Sequence, residues 1–567
     1  MIGVLPKAGQ SVVVEEFFQL FKTPWEFCRP GRTYDVVIAT TDRVPEVNAR
    51  LLLVYGLAPN NQDSRSQTNG SRRPATRILG VGDRSLPIYC GLSTFAGKEQ
   101  QAVCLTADSE VAGFSAKSSA TTVLCLGYDL FEEVRFLLSA GQPIKHAQTP
   151  TLDMHIEMLR NWILRENISL LEILPAPAGH KFAVCLTHDI DFIGIRNHKF
   201  DHTMWGFVYR ATIGSLHNFF RGRLTPRLVL RNWRAVASLP FVYLGWANDF
   251  WEPFDWYLNV EKDLPSTYFV VPFKGRSGEK VSGRKGARRA VAYEASDHAQ
   301  SLALAQRAGC EIGVHGIDAW HSVELGRNER NRISEITGEP ATGIRMHWLL
   351  QDANTALVLE DGGYAYDSTV GYNETIGYRA GTSQAFRPLN AKVLLELPVQ
   401  IQDGALFYPQ RLDLSDSGAE KLCGNLIEDV EKFGGVLTTI WHDRSHAPER
   451  LWGEFYIRLI RKLRSLDAWF DTAGRVAGWF GRRRQVRFEQ IETCDGLRTT
   501  LRYDGPQIQP PLNVRFYSEP TYPAADNQPA AGFVDIPWDG KSAPDLETQL
   551  GLHALPGIPD RTFSLTL

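Results

Sequence analysis

The sequence predicts an α/β protein whose central domain is a parallel barrel, and three observations carry that reading. Phe182-Ala-Val-Cys-Leu-Thr-His-Asp-Ile-Asp runs five apolar or small residues straight into a polar cluster. That is the pattern of a strand buried on both faces of a parallel sheet. Apolar runs of the same kind recur at 266–272, 309–315, 342–348, 394–399 and 435–442. A helix-spaced stretch at 299–308 separates two of them, as βα alternation requires.

Length and composition bound the rest. At 567 residues the chain has room for roughly three domains of about 150 residues each. With 43 % hydrophobic and 22 % charged residues it has the make-up of an ordinary globular protein. A net charge of −3 argues against a nucleic-acid protein. Residues 1–20 lack a basic start followed by an apolar core, so no signal peptide is expected. No apolar run reaches the ~18 residues of a membrane span. The eight cysteines are scattered without CxxC pairs, which suits reduced, buried thiols in a cytoplasmic protein.

In chain order, residues 1–140 read as a small α/β domain. Strands are expected at 34–40, 49–55, 86–90 and 121–127, and an amphipathic helix at 129–140. The stretch 60–76, rich in Ser, Asn, Gln and Arg, reads as a mobile loop. Gly80-Val-Gly-Asp lacks the third glycine of a phosphate-binding loop, so no chemistry is assigned here. Residues 141–180 read as a connecting segment, with a helix at 151–165 before Pro175, Pro177 and Gly179 break the chain. The barrel domain follows at 181–485. The region 452–479 reads as helical. The tail, 486–567, alternates at 486–491 and 497–503 around Asp495-Gly, then becomes proline-rich, which predicts a small β appendage.

An insertion at 197–256 interrupts the barrel. Between His202 and Asn248 it has six arginines, many aromatic residues and no acidic residue. That combination suits peripheral contact with an anionic membrane surface through 202–248. The plainer reading is a helical excursion whose arginines pair with acids elsewhere. Single-stranded nucleic acid uses arginine and aromatic residues too, but it is the weakest of the three.

The chemistry is expected at Asp189 and Asp191. Two residues apart in a strand, they face one side, and they fall at the C-terminal end where α/β folds put their sites. Carboxylates that close repel, and a cation or a shared proton relieves the repulsion. The plain alternative is that one caps a helix or makes a turn.

In this stretch, and in three later motifs in the same order, the chain resembles the polysaccharide deacetylases of carbohydrate esterase family 4. The version Leu-Thr-His-Asp-Ile-Asp is similar to a subgroup that includes some peptidoglycan deacetylases and the deformylases of lipid-linked aminoarabinose. The resemblance covers about 180–485 and implies a distorted (β/α)7 barrel. It also implies Asp189 as general base and Asp191 as ligand of a divalent metal ion, zinc before cobalt or nickel. His315 then begins the second motif. The family has another histidine four residues on, but this chain has Ala319. His321 is the expected third ligand, with Asp318 or His347 as substitutes, and the departure also admits a weak site or none.

Arg345 is implied to orient the catalytic aspartate through a bidentate charged hydrogen bond. His442 is implied to protonate the leaving amine, its pKa raised by Asp443 or Asp189. His188, Asp318, His347, Asp367, Tyr372 and Arg379 are the candidates for contacts to a sugar. The implied reaction is metal-assisted removal of an N-acyl group from an amino sugar in a surface polysaccharide or its lipid-linked precursor. The cytoplasmic reading and the basic insertion favour the lipid-linked form, at the inner face of a membrane. Two rivals are a catalytically silent carbohydrate-binding or assembly protein of an exopolysaccharide pathway, and an amide hydrolase acting on a small metabolite.

Overall fold

The computed structural model describes residues 1–41, 43–57, 76–82, 84–118, 120–281, 289–493, 496–517 and 532–541. The chain forms two compact units, one of Met1–His180, Ala380–Leu389 and Trp479–Leu567, the other of Lys181–Arg379 and Asn390–Gly478.

The first unit is built on β1 (Ile2–Leu5), β2 (Trp25–Phe27), β3 (Tyr34–Ala39), β4 (Ala49–Tyr55), β5 (Arg77–Val81), β6 (Arg84–Ile88), β7 (Ala102–Thr106), β8 (Val111–Ser118) and β9 (Thr121–Leu126). They make one sheet in the order β2-β1-β3-β4-β9-β8-β7-β5-β6. β3, β4 and β9 pair in parallel, and their apolar runs supply core residues Val37, Leu52, Val54 and Val123. The helix Leu130–Ser139 starts where Asp129 accepts hydrogen bonds from the Phe131 and Glu132 amides, an N-cap. The expected loop at 60–76 lies outside the described residues up to 75, and so does the Asp495 turn.

Pro175 and Pro177 lie inside a strand, β10 (Leu170–Pro177), and the expected break falls just after it, at Gly179 with φ 80°, beside the division between the two units at His180. β10 pairs with strand Leu512–Tyr517 at the edge of a three-stranded sheet. An edge strand tolerates proline because its outward amide has no ladder partner to lose.

The second unit carries the site. β11 (Phe182–Ile190), β12 (Ser266–Val270), β13 (Glu311–Gly316), β14 (Gly343–Met346), β15 (Tyr366–Asp367), β16 (Leu395–Glu396), β17 (Ile401–Gln402) and β18 (Val436–Ile440) pair in parallel. The order is β16-β15-β14-β13-β12-β11-β18-β17. Every residue of β11 is buried, as its unbroken apolar run requires. A further strand, β19 (Ala468–Phe470), pairs with the start of β11 and splits the helical stretch expected at 452–479 into helices Gly453–Arg464 and Ala473–Gln485.

The sheet must curl. Its end strands, β16 and β17, are joined by residues 397–400 alone. In a flat sheet eight strands at ~4.8 Å spacing would put them about 34 Å apart, and five extended residues reach only about 18 Å. The run expected as one strand at 394–399 therefore bends across the gap of a distorted parallel barrel. Its core is continuous from Val184 and Leu186 through Tyr268, Val314 and Ile344 to Leu437. Helices begin at side-chain caps, Ser322 before Val323–Thr337 and Ser415 before Asp416–Phe433.

Barrel packing leaves no room at Gly343, where an added Cβ would collide with the Tyr366 ring. That ring's hydroxyl donates to Glu311 Oε1 at 2.9 Å. Gly343→Ala is expected to lower unfolding stability by about 1–3 kcal/mol in urea titrations. Gly424→Ala, whose methyl meets only the Lys462 ammonium, should cost well under that.

Candidate active site

The site is assembled at the C-terminal ends of the parallel strands, from residues that alternation directs inward. Asp189 is the last residue but one of β11 and Asp191 lies just beyond the strand. His188, between Thr187 and Asp189, points to the opposite face. It is fully buried with Nε2 2.8 Å from Glu261 Oε1 and Nδ1 3.1 Å from the Trp441 carbonyl, and its ring packs on Tyr257. The same period of two that brings the aspartates together removes His188 from any sugar contact.

Asp189 is fixed by a buried guanidinium. Arg345 Nη1 donates to Asp189 Oδ1 at 2.8 Å and to Thr187 Oγ1 at 2.6 Å, Nη2 donates to Ser368 Oγ at 2.7 Å, and Nε donates to the Ser368 carbonyl at 2.8 Å. The expected bidentate pair is replaced by a fork whose other tines hold Thr187 and Ser368. Asp189 Oδ2 is left 3.8 Å from His315 Nε2. Burial would raise the Asp189 pKa, but Arg345 and the nearby histidines outweigh it and hold the carboxyl below its usual value.

Asp191, His315 and His347 form a group of ligand atoms all within 4.8 Å of one another. Asp191 Oδ1 lies 3.3 Å from His315 Nε2 and 3.1 Å from His347 Nδ1, and those two ring nitrogens are 2.9 Å apart. His315 Nδ1 is 3.0 Å from the Arg345 carbonyl. A carbonyl only accepts, so Nδ1 carries the proton and Nε2 turns a lone pair to the group. Burial lowers the His347 pKa, which favours the neutral imidazole that a metal needs. Asp191 Oδ1 is buried and has no hydrogen-bond donor aligned on it. Two imidazole nitrogens and an orphaned carboxylate oxygen are a donor set that fits zinc or a similar divalent ion.

His347, not His321, joins this group. His321 lies in the loop after β13, with its Nε2 3.1 Å from Asp318 Oδ1. That same oxygen accepts from the Glu279 amide at 2.9 Å, so Asp318 and His321 are tied to each other away from the cavity. His347 reaches inward because the chain turns sharply after β14. Trp348 and Leu349 adopt left-handed φ of 67° and 52°, a conformation that costs of order 1–3 kcal/mol each. Buried Arg289 anchors the turn, donating from Nη2 to the carbonyls of Ile317 at 2.8 Å and His347 at 3.2 Å.

His442, two residues past β18, has a partner that the sequence reading missed. Its Nδ1 is 2.6 Å from Asp403 Oδ1, and its backbone amide donates to Asp403 Oδ2 at 2.8 Å. Its Nε2 is 3.9 Å from Asp191 Oδ2, and the ring keeps 29 % of its surface exposed. Loss of solvent would lower the His442 pKa, but Asp403, with Asp191 and Asp189, raises it well above the ordinary histidine value. Asp443, expected to help in this, instead turns Oδ2 to the Phe192 amide at 2.8 Å.

A cavity of about 480 Å³ opens over these groups, a volume typical of ligand sites. Asp189, Asp191, His315, His347 and His442 line it, along with Trp348, Tyr408, Trp452 and the arginines Arg411, Arg444 and Arg450. Other expected sugar contacts lie outside it. Asp367 is buried with Oδ1 2.5 Å from Thr369 Oγ1, Tyr372 is buried with its carbonyl bonded by Gln402 Nε2, and Arg379 Nη1 donates to the Gly371 carbonyl at 2.9 Å. The arginines were not legible because 408–411 and 444–450 carry no motif. Arg444 lies 3.8 Å over the Phe192 ring and Arg450 4.5 Å over that of Tyr408. Burial would raise the Tyr408 pKa, yet Arg450, Arg444 and His442 bring it below its usual value. Around Tyr408, then, positive charge outweighs negative, whereas at His442 the carboxylates dominate.

No family model and no curated protein matches the sequence. Among solved structures, the chain is similar to a Mycobacterium smegmatis protein assigned as a polysaccharide deacetylase, at 19 % identity over 54 % of this chain and 94 % of that one, TM-score 0.31. It is similar to the allantoinase PuuE at 17 % identity over 54 % and 92 %, TM-score 0.34. The carbohydrate deacetylase Agd3 matches at 9 % identity over 96 % and 97 %, TM-score 0.34. With every score this low, the side-chain geometry and not the alignment defines the site.

Proposed function

We propose that the chain is a metal-dependent hydrolase that removes the N-acyl group from an amino sugar bearing an anionic group. The observation that carries this reading is the pairing of two differently tuned groups beside one ligand cluster: Asp189 braced by Arg345, and His442 braced by Asp403. Asp191, His315 and His347 would hold the ion. A divalent ion so held supplies Lewis acidity toward an acyl carbonyl. Asp189 Oδ2, the oxygen Arg345 leaves free, takes a proton from the attacking water. As the C–N bond breaks, His442 Nε2 gives its proton to the departing nitrogen, and Asp403 stabilises the charged imidazolium until then. The products are a carboxylic acid and a free amine.

A silent barrel needs neither a braced base nor a braced acid. A small-metabolite amidase would be served by a small cavity without aromatic walls, whereas Trp348, Trp452 and Tyr408 line this one, and aromatic faces suit sugar rings. Three arginines in the same wall, with no carboxylate at ion-pair distance among the described residues, favour a substrate with phosphate or carboxylate. A lipid-linked sugar phosphate and an acidic polysaccharide both meet that requirement.

Three outcomes test this reading. After zinc loading and dialysis, elemental analysis should find about one equivalent in the wild type and in His321→Ala, and little in His347→Ala. Asp403→Asn should lower kcat on the order of 10²-fold with KM nearly unchanged, measured as acetate release from N-acetylated amino-sugar oligosaccharides. Arg450→Ala should raise KM about ten-fold for an anionic N-acyl sugar and leave a neutral one unaffected.

A further inference from the structure

The insertion between β11 and β12 exposes apolar side chains in two stripes, one on each of its long helical stretches. Helix His202–Tyr209 continues through a π turn at Arg210–Gly214 into helix Ser215–Phe220. Trp205, Tyr209, Ile213, Leu216 and Phe220 recur along it at intervals of three and four and are all exposed, Trp205 at 57 % and Phe220 at 78 %. At ~100° per residue in the α-helical parts, and somewhat less through the π turn, they keep to one side of the helix. Helix Pro226–Tyr243 repeats the arrangement: Leu230, Trp233 and Phe241 on its surface, and Leu244 at its end, are exposed and share an arc of about 80°. The opposite faces are occupied, since Phe207, Ala211, Ala235, Leu239 and Val242 pack with Trp251 in a core of their own. These stripes are therefore not the core side of helices waiting for the barrel.

From His202 to Asn248 the chain itself carries charge of one sign, and one of its six arginines, Arg223, pairs with an acid from elsewhere, Asp413 Oδ1 at 2.7 Å. Arg227, Arg231 and Arg234 are exposed on the flank of the second stripe. No acidic residue occurs anywhere from His202 to Asn248. Among the described residues none of those three arginines has a carboxylate partner.

We infer that this surface docks the protein on a membrane containing anionic lipids, with both helices lying in the interfacial plane. Aromatic and aliphatic side chains enter the acyl boundary while the flanking guanidinium groups meet lipid phosphates. The one-sided charge selects this occupant over a second copy of the chain. A two-fold dimer would set the patch against itself, arginine against arginine, with no acid inside it to pair. Among the described residues no helix is long and apolar enough to cross a membrane, so the contact is peripheral. This inference does not depend on the activity proposed above.

The test is flotation of the full chain with vesicles of phosphatidylcholine alone or mixed with phosphatidylglycerol. Two variants are compared with the wild type: Trp205→Ser with Phe220→Ser, Trp233→Ser and Phe241→Ser, and Arg227→Gln with Arg231→Gln and Arg234→Gln. The wild type should float with the mixed vesicles and bind pure phosphatidylcholine about ten-fold less. Both variants should stay behind while keeping the wild-type circular dichroism and zinc content. Absence of wild-type flotation, or equal flotation of the well-folded variants, would overturn the inference. So would a wild-type dimer that the serine variant renders monomeric, because the face would then belong to a second copy.

Discussion

A buried guanidinium must find acceptors for its N–H groups or forfeit several kcal/mol, and in this barrel Arg345 finds them on β11 and just past the end of β15. It bonds Thr187 and Asp189 on β11 and Ser368 just after β15, while its own backbone belongs to β14. In a flat sheet β11 and β14 would be about 14 Å apart, more than an arginine spans, so this contact exists only because the sheet curls. The Phe269 ring, 4.5 Å from the guanidinium carbon, fills the space beneath it. One side chain thus bridges the curled sheet and, together with His315 and His442, holds the Asp189 carboxyl below its usual pKa against burial.

The remainder of the site follows from strand ends brought level by that curvature. β11 supplies Asp189 and leads to Asp191, β13 supplies His315, the turn after β14 supplies His347, and β18 leads to His442. The carbonyl of Arg345 itself receives the His315 ring proton, so the residue that holds the Asp189 carboxylate also sets the His315 tautomer. Asp403 does the equivalent for His442. Within a few ångströms burial holds the His347 imidazole below the ordinary histidine pKa, while at His442 Asp403 overcomes burial and raises it.

Much of the fold was legible because a parallel barrel writes its strands as apolar runs. Phe182–Ile190, Ser266–Val270 and Val436–Ile440 were readable for that reason, and the period of two predicted that Asp189 and Asp191 face one side. The same period placed His188 on the other face. What was not legible depends on the path of loops. Whether His321 or His347 approaches Asp191 is decided by the left-handed turn at Trp348 and by Asp318, which takes His321 for itself. Asp403 is 39 residues from His442, with nothing in the intervening sequence to join them. Pro175 and Pro177 signalled a break because proline's tolerance at a sheet edge cannot be known until the edge is.

The central claim is that Asp191, His315 and His347 are the ligands of one divalent ion. The most direct test is anomalous diffraction from zinc-soaked crystals, recorded above and below the zinc absorption edge. One peak within coordination distance of Asp191 Oδ1, His315 Nε2 and His347 Nδ1, at ~2.0–2.2 Å from each, is the predicted result. A peak between His321 and Asp318 instead, or none in the cavity at saturating zinc, would contradict it.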